Sequence, residues 1–198
     1  GSSMRSLLQH PGTFEHFADL FARGEIDEAR SETWSSLLRR RIDFCLAQAE
    51  RFCDASTDEM RQLLVRMSQH CWESELTEFA VTAAKLMEVI PELFAADEKG
   101  RSIYSALIRT GVLRGKDTVE FAITDAGPYL LSFELEKQFA AKEDSERKGL
   151  VSKWLRDRWN YWPLLDAVLA LIDRLSDDPD INHRNLLAIV EAMVATHH

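Results

Sequence analysis

The chain reads as mainly α-helical, with one short β-hairpin near its centre. Two observations predict this. Apolar residues recur at three- and four-residue intervals over most of the length, and strict alternation is confined to Val119–Ile123. No repeat of the roughly 20–50 residues that would mark a solenoid is present. The expected organisation is a cloning remnant at 1–3, a helical region at 4–72, a module holding the hairpin at 73–135, and a second helical region at 136–198.

Taken in order, Thr13 can cap a first helix whose Phe14, Phe17, Leu20 and Phe21 form one face, with Gly24 after its end. A longer helix begins near Ser31 and carries Trp34, Leu37, Leu38, Ile42, Cys45, Leu46, Ala49 and Phe52 toward a core. Thr57, Asp58 and Glu59 start the next helix, with Leu63, Leu64 and Met67 inside. A helix from about Leu76 would bury Phe79, Ala83, Leu86, Met87 and Ile90, ending at Pro91 because proline disfavours helical geometry in the residue before it.

The centre, KGRSIYSALIRTGVLRGKDTVEFAITDAG, changes character. Ile103, Leu107 and Ile108 suit a short helix, which Gly111 can stop in a left-handed cap. Leu113 and Arg114 are then extended, and Gly115, Lys116 and Asp117 make a tight turn. In Val119–Ile123 the alternation is that of a half-buried strand. Thr124 or Asp125 opens a further helix through Leu130, Leu131, Phe133 and Leu135. Pro163–Leu175 and Arg184–Ala195 are the closing helices, joined by a turn rich in aspartate that lacks the oxygen spacing of a calcium loop.

Composition excludes several classes. A hydrophobic content of 45% belongs to a folded chain, and a formal charge of −9 speaks against coating nucleic acid over the whole surface. No apolar run reaches the roughly 20 residues of a membrane span; Leu164–Ile172 is interrupted by Asp166. The cysteines, Cys45, Cys53 and Cys71, form no C-x-x-C pair and suit a reducing compartment, so a cytoplasmic location is expected. His70 and Cys71 have no partners to complete a zinc set, and no metal or cofactor is expected. Phosphate loops, nucleophile elbows and H-E-x-x-H pairs are missing from the sequence, so a non-catalytic role is favoured.

Charge distribution says more than the total. Between Lys99 and Lys116 lie five cations, Lys99, Arg101, Arg109, Arg114 and Lys116, and no acid. Together with Gly111-Val112-Leu113 and Phe121-Ala122-Ile123-Thr124-Asp125-Ala126-Gly127, the segment from about Leu76 to Leu131 resembles the end of a winged-helix domain of bacterial regulators. The resemblance implies duplex DNA as partner. Arg101, Ser102, Ser105 and Arg109 would face the groove, with Lys99 beside them and Arg114 and Lys116 on the wing. It also implies a homodimer formed through the carboxyl-terminal helices, since palindromic sites call for two-fold symmetry. The alternative is a helical protein-interaction subunit without nucleic-acid binding, an adaptor or a component of an antitoxin, immunity or defence complex. Its basis is the acidic remainder and the stretch WLRDRWNYW, where Trp154, Arg158, Trp159, Tyr161 and Trp162 suit a protein hot spot. The competing account of those aromatics is burial on one side of an amphipathic helix.

Overall fold

The computed structural model describes residues 34–74, 76, 79–123, 125–157, 162–176 and 189. The chain is mainly helical, with a small three-stranded antiparallel sheet in its middle. The expected first helix at Thr13–Gly24 and most of the last one lie outside the described residues.

Helix α1 spans Trp34–Ala49 and buries Leu37, Leu38, Ile42, Leu46 and Ala49, the stripe its spacing predicts. Helix α2, Thr57–Glu73, starts with a reciprocal cap. The Ser56 hydroxyl accepts from the Glu59 amide, and the Glu59 carboxylate accepts from the Ser56 amide at 2.8 Å. Met60, Leu63, Leu64, Met67 and Cys71 form its buried face. The two helices are joined by Arg61, which donates to Asp43 at 2.8 Å.

The segment after α2 departs from expectation. Instead of a helix from Leu76, Ala80–Thr82 is strand β1, and helix α3 covers only Ala83–Val89. Two features end the helical reading. Phe79 has φ 48°, which breaks the helix before Ala80, and Thr82 caps α3 by accepting from the Lys85 amide. Val81 and Thr82 are β-branched and pair with β3. Leu86 and Ile90 are buried as expected, but Met87 is half exposed and belongs to no core. A 3-10 turn, Pro91–Leu93, follows.

Helix α4, Ile103–Arg109, is closed as its sequence predicts. Gly111 has φ 72°, and the Val112 amide donates to the Leu107 carbonyl at 2.9 Å. Strands β2, Leu113–Arg114, and β3, Thr118–Phe121, make the hairpin. The sheet order is β1-β3-β2, with Val81 opposite Val119 and Leu113 opposite Phe121. Val119, Phe121 and Ile123 are buried, on the face that their alternation predicts.

Helix α5, Ala126–Ala140, is followed by α6, Asp144–Asp157, and α7, Trp162–Ser176. Helix α5 packs along α7 and α2, and among the described residues an apolar core runs from α1 through the sheet to α7. Gly127 in α5 touches the Phe79 ring so closely that a Cβ there would lie 2.5 Å from it. The strained Phe79 backbone and the small Gly127 are therefore two parts of one contact.

Candidate interaction face of the central module

Helix α4 and the hairpin are set against each other by side chains from α4 itself. Ala106 and Leu107 are buried, Ile103, Tyr104 and Ile108 are half-buried, and Ser105 and Arg109 are exposed. The Tyr104 hydroxyl donates to the Gly115 carbonyl at 2.7 Å, and its ring lies 4.8 Å from that of Phe94. Burial, then the nearby Asp117 carboxylate, pushes the Tyr104 phenol up. Ser102 caps the helix, with its hydroxyl accepting from the Ser105 amide at 3.2 Å and sitting 2.9 Å from the Ser105 hydroxyl.

Three of the five cations, Arg101, Arg109 and Arg114, are engaged by side chains of the same chain. Arg101 is held by two carboxylates. Its amide donates to Asp97 Oδ1 at 2.8 Å, its Nε to Asp97 Oδ2 at 2.7 Å, and a terminal nitrogen to Asp54 in the α1–α2 loop. The hydrogen bond from the Arg101 backbone holds the Asp97 carboxyl below its usual range, reinforced by the guanidinium and the Lys99 amide. Arg109 lies 4.0 Å over the Phe52 ring, also between α1 and α2. Arg114 donates to Glu120, its cross-strand neighbour, at 2.7 Å. Lys99 and Lys116 remain as exposed side chains at the loop before α4 and at the hairpin turn.

The acid-free run in the sequence is thus not acid-free in space. Asp54 arrives from 47 residues earlier, and Asp97 and Glu120 flank the run. Across residues 79–123, Lys85, Lys99, Arg101, Arg109, Arg114 and Lys116 are matched by Glu88, Glu92, Asp97, Glu98, Asp117 and Glu120. The unit carries no net charge. A phosphate approaching Arg101 would have to compete with carboxylates already in place.

Comparison with family models, curated proteins and solved structures finds no match to the chain.

The aromatic stretch is only partly visible. Trp154 is buried at 6% exposure, against the α6 side of the core, so its indole face is spent on packing. Arg158, Trp159 and Tyr161 lie outside the described residues, as does the side chain of Trp162, which opens α7. Among the described residues no three His, Cys, Asp or Glu side chains gather to hold a metal, and no helix is long and apolar enough to cross a membrane. Sequence reading missed the reach of Asp54 to Arg101 and of Arg109 to Phe52. No local pattern signals either, because both are contacts between distant segments.

Proposed function

We propose that the chain is a non-catalytic protein-interaction subunit, a helical body carrying a winged-helix-like module that docks protein and not the DNA groove. The observation that carries this reading is the engagement of Arg101 with Asp54 and Asp97, and of Arg109 with Phe52. Two of the arginines that a DNA reader keeps free for phosphate are engaged by the chain's own α1–α2 loop. The overall charge of −9 adds repulsion around any duplex.

A second reading, the DNA-contacting regulator, is supported by a short capped helix running directly into a hairpin. Ser105, Arg109, Lys99 and Lys116 are exposed on or beside that unit. Dimerisation through the carboxyl-terminal helices belongs to this reading; the buried face of α7 is already packed on α5, so a dimer would use its outer face. Titration of a labelled mixed-sequence duplex at low salt separates the two. The first reading expects no saturable binding. Saturable binding that weakens with salt and is lost in Arg109→Glu with Lys116→Glu would replace it with the second.

A further inference from the structure

A cavity of about 440 Å³ lies between α2 and the loop that leads into α4. This is within the size range of small-molecule sites. One wall is a single stripe of α2, Glu59, Gln62, Leu63 and Arg66, at the i, i+3, i+4, i+7 spacing of one helix face. The opposite wall is poor in side-chain bulk, because Ala95 and Ala96 stand where larger residues would fill the space. Cys53, Leu63 and Ile103 supply an apolar floor.

The two ends are polar in a specific way. At one end Asp54 gives one oxygen to Arg101, and Glu59 gives Oε2 to Ser56. At the other end Glu92 gives Oε1 to Arg66 at 3.0 Å. A carboxylate accepts about four hydrogen bonds, so each has acceptor capacity left. The Asp54 and Glu92 side chains remain 64% and 55% exposed after pairing. Both arginines that border the cavity already have carboxylate partners, so they offer an anion little. Glu59 and Arg66 are seven helical positions apart, ~10 Å along the axis.

We propose that this cavity binds a linear aliphatic diamine or polyamine. One ammonium sits between Asp54 and Glu59, the methylene chain lies over Leu63 and beside the alanines, and the second ammonium reaches Glu92. The site borders the start of α4 through Arg101 and Ile103 and shares Asp54 with the Arg101 contact.

Isothermal titration of the full chain with spermidine at moderate salt tests this. Saturable one-to-one binding is expected. Ala95→Trp, which fills the space without changing charge, and Glu92→Gln should each weaken it about tenfold or more. Glu146→Gln, on exposed α6, should leave it unchanged. If Ala95→Trp lowers thermal stability, Gln62→Trp fills the same space from the opposite wall. No saturable binding overturns the proposal. So does binding that all variants share, which would be diffuse attraction to an acidic surface, and so does equal binding of magnesium at matched charge.

Discussion

The Tyr104 hydroxyl donates a hydrogen bond to the Gly115 carbonyl oxygen at 2.7 Å, tying α4 to the tip of the hairpin. The strands are only two and four residues long, and a hairpin that short has little stability of its own. Tyr104→Phe keeps the ring against Phe94 and removes only the tie. The expected cost is ~0.5–1.5 kcal/mol in urea unfolding. Faster amide exchange at Lys116–Thr118 than in the rest of the sheet should accompany it. Unchanged exchange there would mean that the tie does not hold the turn.

Gly115 and Gly100 offer a matched comparison. Both have positive φ, at 96° and 72°. A Cβ on Gly115 would lie 1.8 Å from the Thr118 carbonyl oxygen, whereas a Cβ on Gly100 meets nothing within 4 Å. Gly100→Ala should therefore carry backbone strain alone, about 1 kcal/mol. Gly115→Ala should cost clearly more, because backbone of the turn must move. Equal losses in denaturant midpoint would refute the steric account.

The Asp97 carboxyl gives stability a defined pH dependence. Its pKa is lowered in the fold, first by the Arg101 backbone hydrogen bond and then by the guanidinium and the Lys99 amide. A lowered folded-state pKa contributes stability that is present above the unfolded value, about 4. It is lost as pH falls through the folded value. Thermal melts should show wild type losing more stability than Asp97→Asn between neutral pH and acid. Parallel curves would remove Asp97 as a contributor.

Thiol chemistry should follow burial. Cys71 is buried and its thiol is pushed up to about 12 by that burial, and Cys53 is 4% exposed. Cys45 is half-buried, and its thiol is raised by burial with Arg41 opposing. An aromatic disulfide reagent at mildly alkaline pH should label Cys45 first and reach the other two only on unfolding. Rapid labelling of Cys71 in the native state would contradict its place in the core.

Much of the fold was legible because its signals are local. The capped start of α2, the Gly111 stop after α4 and the alternation in Val119–Ile123 each act within a few residues. Strand β1 was not legible. Ala80-Val81-Thr82 can continue a helical stripe from Phe79 to Ile90, and only pairing with β3 and the left-handed Phe79 decide otherwise. Charge was least legible. The run from Lys99 to Lys116 is free of acid in one dimension, yet Asp54 from the α1–α2 loop neutralises Arg101 in three.

Arginine modification by phenylglyoxal, read by mass spectrometry on the native chain, tests most directly whether that neutralisation holds. The Arg101 side chain is 31% exposed between Asp54 and Asp97, while Arg39 is 71% exposed with a looser contact to Asp43 at 3.6 Å. Arg101 should react several-fold more slowly than Arg39, and the difference should shrink in Asp54→Asn with Asp97→Asn. Equal rates in the wild type would mean that Arg101 stands free to meet a phosphate, and the protein-docking reading would lose its support.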